Sequence, residues 1–87
     1  MKVIKLNRRF KIHKEHGHQA GLRFDSWNEQ ARAVELALRQ ITQTGGWTRD
    51  GEWYSWVGQP TRQFGTRPYF ITVRDEQTLS LLLLSLT

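Results

Sequence analysis

Apolar positions in this chain recur with two different periods, and the changes of period divide it into elements. Between Asp25 and Thr44 the period is helical. Trp27, Ala31, Val34, Leu38 and Ile41 recur at spacings of four and three, which stacks them on one face, and Ala37 widens the stripe. Asn28, Arg32, Glu35 and Arg39 fall opposite, with Glu35 and Arg39 in the favourable i,i+4 order. Ser26 and Glu29 have the spacing of a capping box, Asp25 offers an alternative cap, and Gly45-Gly46 supplies a left-handed residue to end the element. The pattern predicts a central helix over about residues 26–44. Leu36 departs from the stripe and reads as a leucine covered by a later segment or tolerated at the surface.

On either side of this helix the period is two. Ile4, Leu6, Phe10 and Ile12 share one parity, and Lys5, Asn7, Arg9, Lys11 and His13 share the other. Such alternation predicts a half-buried strand, or two short strands broken at Asn7-Arg8, with the basic residues outward. Glu15-His16-Gly17-His18 reads as a reversal, and Ala20, Leu22 and Phe24 as the apolar side of a second strand that leads into the helix. Beyond the helix, Asp50-Gly51 has the composition of a two-residue hairpin loop joining Trp47–Arg49 to Glu52–Val57. That register puts Trp47, Tyr54 and Trp56 on one face, with Arg49 paired to Glu52 near its tip, and Thr48, Trp53, Ser55 and Val57 on the other. Residues 58–68 are a Gly- and Pro-containing loop, Tyr69 to Arg74 is a further strand, and Asp75 caps a short final helix over 76–85. A buried strand competes there, because the leucines at 79, 81–84 and 86 lack a clean period. The expected fold is α+β: an antiparallel sheet of four to five strands packed on one central helix, in the order ββαβββα, as a single domain over residues 1–87.

Composition narrows the chemistry. The chain has no cysteine, which removes disulfides and thiolate metal sites and fits a reducing, cytoplasmic setting. MKVIKLNRRF lacks the apolar run of a signal peptide, and LSLLLLSL falls far short of the ~20 apolar residues that span a bilayer. No membrane association is expected. His13, His16 and His18 cluster with Glu15, but their spacing matches no strong zinc signature, so no metal is expected. The serines are accounted for as cap, strand and terminal residues, no G-x-S-x-G elbow occurs, and the glycines form no phosphate cradle. Neither an enzyme nor a cofactor is expected.

Charge supplies the remaining signal. Residues 1–23 carry seven Lys and Arg against Glu15 alone, a net +6, while the rest carries six Arg against seven acids, a net −1. A polyanion would therefore be drawn first to the N-terminal segment. Lys5, Arg9, Lys11, His13 and Arg23, on a shared sheet face, with Arg62 and Arg67 in the loop, are the candidate phosphate contacts. Trp47, Trp53, Tyr54 and Trp56 are the candidate aromatic contacts for bases. The expectation is a small non-enzymatic protein that binds DNA or RNA. The alternative is a regulator or inhibitor of a host or partner protein, of the phage or mobile-element accessory kind, with the same aromatics as interface anchors. Leu36 and the leucine-rich tail would serve a partner contact or a homodimer.

The strand–cap–helix order in GLRFDSWNEQARAVELAL resembles, in outline, small β-sheet DNA readers such as plant AP2-type and integrase arm-type domains. The resemblance implies a sheet that faces DNA with a helix behind it. The characteristic residues of those families are not matched, so no residue role is transferred.

Overall fold

The computed structural model describes residues 2–60 and 66–86. Seven elements follow one another: β1 (Lys2–Lys5), α1 (Lys11–His16), β2 (Ala20–Phe24), α2 (Glu29–Thr42), β3 (Trp53–Val57), β4 (Tyr69–Val73) and α3 (Glu76–Ser85). The four strands form one antiparallel sheet in the order β1-β2-β4-β3. The α+β class and the antiparallel sheet are as expected, but the element order is βαβαββα.

The first difference is α1, where a strand was expected. Asn7 makes a turn, its side chain accepting from Arg9 N at 2.9 Å and its carbonyl from Phe10 N at 3.0 Å. A six-residue helix then begins, and Gly17 closes it at φ 75°. So short a helix needs one inward side chain, here Ile12, and period-two spacing cannot distinguish that case from a strand. The second difference is the expected Asp50-Gly51 hairpin. Residues 47–49 form no strand, and the turn sits one residue earlier, with Gly51 N donating to the Thr48 carbonyl. β3 instead pairs with β4, from Trp53 opposite Val73 to Val57 opposite Tyr69. Because β4 lies between β2 and β3, those two strands run parallel, and α2 makes the crossover between them.

α2 begins later and ends earlier than the periodicity suggests. Asn28, in extended conformation, is the N-cap, and its Oδ1 accepts from Ala31 N at 2.9 Å. Ser26 and Asp25 therefore lie outside the helix, and Trp27 does not belong to its buried stripe. Gln43, at φ 59°, closes the helix instead of the glycine pair. Gly46 has another task. A Cβ there would come within 2.5 Å of the Trp53 ring, so only glycine lets the chain pass over that indole. The last helix forms as expected, with Asp75 accepting from Gln77 N.

α2 and α3 pack against one another and against one face of the sheet, enclosing a core of Leu22, Phe24, Ile71, Val73, Trp53, Val34, Leu38 and Leu82. Tyr69 closes the rim of this layer by donating its hydroxyl to Glu35 at 2.6 Å, which takes Glu35 away from the expected pair with Arg39. Leu36 is 48% exposed, so nothing among the described residues covers it. Among the described residues, no helix is long and apolar enough to cross a membrane.

The two candidate caps separate by mutation. Asn28→Ala is expected to cost about 1 kcal/mol, and Ser26→Ala to stay within about 0.5 kcal/mol. Urea denaturation midpoints decide between them, and a larger loss at Ser26 would reject the cap seen here.

Candidate functional site

The face of the sheet turned away from α2 and α3 holds the site. Strand register puts Arg23, Phe70 and Trp56 in one row across it, and Gly21, Thr72 and Tyr54 in the next. The segment from Phe10 to His18 lies over part of this face. Phe10 meets Phe70 edge-on at 6.4 Å between centroids, and Trp56 stacks on Phe70 at 4.2 Å with 13° between planes. Between this segment and β3 opens a groove of about 650 Å³, lined by Arg9, Phe10, Lys11, Glu15, His16, Arg49, Tyr54, Trp56 and Gln59. That volume falls within the ~300–1,000 Å³ of ordinary ligand pockets.

A buried histidine holds the walls of the groove together. His18 is 0% exposed. Its Nε2 lies 2.7 Å from the Arg49 carbonyl, and its Nδ1 lies 3.1 Å from the Thr72 hydroxyl. A carbonyl only accepts, so Nε2 carries the hydrogen, and in the neutral ring Nδ1 accepts from Thr72. The same hydroxyl lies 3.3 Å from the Tyr54 carbonyl, which competes for its one hydrogen. His13 Nδ1 bonds to the His18 carbonyl at 2.8 Å, and Arg74 donates to the His16 carbonyl at 3.2 Å. His16 Nδ1 meets Asp50 Oδ1 at 2.7 Å, and this bond holds the Asp50 carboxyl below its ordinary range. α1 is thus tied to the 48–51 turn, and Arg49 is held with its guanidinium 6.0 Å from the Tyr54 ring centroid.

The expected binding residues are divided by this arrangement. Arg9 and Lys11 reach the groove, together with Tyr54 and Trp56. Lys5 does not. It lies opposite Ala20, whose side is the helix-covered face, and β1 is the far edge of the sheet, about 14 Å from β3 at ~4.8 Å per strand. Arg23 shares the groove's face but is paired with Asp25 at 3.2 Å. The single basic face read from parity is therefore corrected, because the chain from Arg9 to His13 turns into a helix instead of continuing the strand. Arg67 is exposed outside the groove, and Arg62 lies outside the described residues. Trp53, expected among the aromatic contacts, is a core residue, 1% exposed, with Nε1 donating to the Thr44 carbonyl at 3.1 Å. Trp47 is 78% exposed and lies apart from the groove, under the Arg39 guanidinium at 5.6 Å.

Arg49 is the groove residue that charge counting passed over. Pairing it with Glu52 in the expected hairpin hid it, although that same register set it on the face of Tyr54 and Trp56. Arg9, Lys11 and Arg49 are exposed and have no carboxylate at ion-pair distance among the described residues. Each histidine ring is committed to a protein partner, and no three His, Asp or Glu side chains among the described residues converge as a metal-binding group. Among the described residues the groove therefore offers three unpaired cations, one nearby carboxylate in Glu15, and the three aromatic side chains of Phe10, Tyr54 and Trp56. Comparison with family models, with curated proteins and with solved structures finds no match to this chain.

Burial lowers the His18 pKa below the usual 6.5, with the Arg74 and His16 charges adding to the effect and the bonds to Arg49 and Thr72 opposing it. The folded state therefore resists protonation that the unfolded chain accepts. Stability is complete above about pH 6.5 and falls as the pH drops from there toward the lowered folded value, with a slope approaching 1.4 kcal/mol per pH unit at most, roughly. Urea midpoints followed from about pH 7.5 down to about pH 5 should show this loss, and His18→Gln should remove that part of the slope. An equal slope in the variant would assign the titration to another group.

Proposed function

We propose that this protein binds nucleic acid in the groove between α1 and β3. The observation that supports the reading is the meeting of three unpaired cations, Arg9, Lys11 and Arg49, with the half-buried rings of Tyr54 and Trp56 in one concavity. Cations without carboxylate partners are free to contact phosphates, and arginine guanidinium groups bind them with directed N–H donors. Aromatic rings beside such contacts offer stacking surface to bases. The groove needs no bound metal and no cofactor for this task, and binding alone accounts for its residues. A cysteine-free chain suits a reducing, cytoplasmic setting for such a role.

Three phosphate contacts would make the affinity fall about 20-fold for a single strand, or about 40-fold for a duplex, between roughly 50 and 200 mM salt. Fluorescence anisotropy with labelled oligonucleotides measures this. Arg49→Ala and Arg9→Ala are each expected to weaken binding and to reduce the salt slope by about one, whereas Lys5→Ala should leave both nearly unchanged. Absence of binding at the lower salt would reject the proposal.

A different observation favours a protein partner. Trp47 is largely exposed beneath Arg39, and Leu36 is exposed one turn away on α2. An exposed Trp, Arg and Leu together have the composition of an interface anchor, for another protein or for a second copy of the chain. Capture of a protein from nuclease-treated lysate that Trp47→Ala abolishes and Arg49→Ala preserves would favour this reading.

A further inference from the structure

The reading of the groove as a nucleic-acid site leaves open which form of nucleic acid it takes, and the position of its aromatic residues on an edge strand bears on that. We infer that the groove takes single-stranded nucleic acid, DNA or RNA, with consecutive unstacked bases on Trp56 and Tyr54. This rests on the nucleic-acid reading above and deepens it.

Among the described residues β4 is the one strand partner of β3, which so forms an edge of the sheet, with Ser55 N donating to the Gly46 carbonyl at 3.4 Å on its outer side. Phe70, on β4, covers one face of the Trp56 indole in a near-parallel stack. The opposite face of that ring is turned away from β4, and the half-buried indole lines the groove. The stack fixes the ring orientation in advance, so a base that stacks there costs little ordering of the protein. Tyr54 stands two residues earlier on the same strand and the same face, with the Arg49 guanidinium above it. Bases stack on guanidinium planes as they do on aromatic rings, so Arg49 extends the platform while serving the phosphates.

Spacing then decides between strand forms. Two residues along a strand advance about 6.7 Å, about twice the 3.4 Å rise per nucleotide of a stacked duplex strand. Successive bases that remain stacked on each other cannot occupy both rings. Bases that are drawn apart can, and only an unpaired strand separates its bases without breaking pairs. The volume of about 650 Å³ agrees, since it accepts a few nucleotide units and not the breadth of a duplex. Arg9 and Lys11, on the wall facing β3, lie across the groove from these rings, where the backbone of a strand laid along β3 would pass.

Anisotropy at about 50 mM salt, with the intact chain and labelled oligonucleotides of one length, tests the inference. The probes are a single-stranded DNA, a single-stranded RNA, their duplex forms, and a DNA single strand in which abasic sites replace the bases. At least one single strand is expected to bind about tenfold or more tightly than its duplex. The abasic strand, which keeps its phosphates, is expected to bind about as weakly as the duplex. Trp56→Leu should bring single-strand affinity down by about tenfold, with a melting curve to confirm folding, and the abasic arm carries the test if that variant does not fold. Duplex binding equal to or tighter than single-strand binding, or full affinity for the abasic strand, would overturn the single-strand inference while nucleic-acid binding stands. Binding of no probe would overturn both.

Discussion

His18 has no exposed surface, yet its ring is polar and must find partners wherever it is buried. It finds them on two segments far apart in sequence, the carbonyl of Arg49 and the hydroxyl of Thr72. One imidazole thereby joins the end of α1, the central strand β4 and the turn that leads into β3. Replacing it by an apolar residue would leave the Arg49 carbonyl without this donor and would remove the buried tie between the turn and the sheet. The groove depends on that attachment, because its opposite walls belong to α1 and to β3 and have no covalent link shorter than the whole of β2 and α2. The His16–Asp50 bond reinforces the attachment at the surface, but Asp50 is largely exposed there, and water competes for it.

Much of the fold is legible in residue patterns, and where the pattern misleads the reason is physical. The apolar stripe of α2 and the β-branched, aromatic run of β4 are each set by burial on one side or both, so their periods carry through to the structure. The C-terminal helix is announced by Asp75 in spite of its irregular leucines, because a cap is a local hydrogen bond and does not depend on what the leucines contact. The N-terminal alternation fails because Leu6 and Ile12 are both buried across a turn, which preserves parity while the backbone changes from strand to helix. The hairpin fails because Asp50-Gly51 states only a local preference. β3 obtains a complete ladder from β4, and the side chains and carbonyls of the 49–50 turn are claimed by histidines from elsewhere.

The candidate site is legible to a smaller degree for the same reason. Charge asymmetry marks Arg9 and Lys11, and aromatic content marks Tyr54 and Trp56, but their convergence depends on a turn at Asn7 and a crossover through α2. Lys5 and Arg23 have the same sequence credentials and end elsewhere, one at the far edge of the sheet and the other paired with Asp25. Arg49 joins the groove because His18 holds its carbonyl, a contact across 31 positions that no local pattern announces. Trp53 illustrates the converse. Its one-residue offset from Tyr54 sends it to the opposite face of the sheet, into the core.

The placement of β4 between β2 and β3 has a consequence for how the chain assembles. β1, α1 and β2 can pair as soon as they exist, since their contacts are close in sequence. β3 and β4 are at least as near to one another in sequence, but the ladder between β2 and β4 must close across the whole of α2 and β3. Contacts of this separation are slow to close and are late to contribute stability. The floor of the groove is therefore completed only when Tyr69–Val73 docks between the two strands already present. A chain interrupted before that point would carry every cation and every ring of the candidate site and still lack the surface on which they meet.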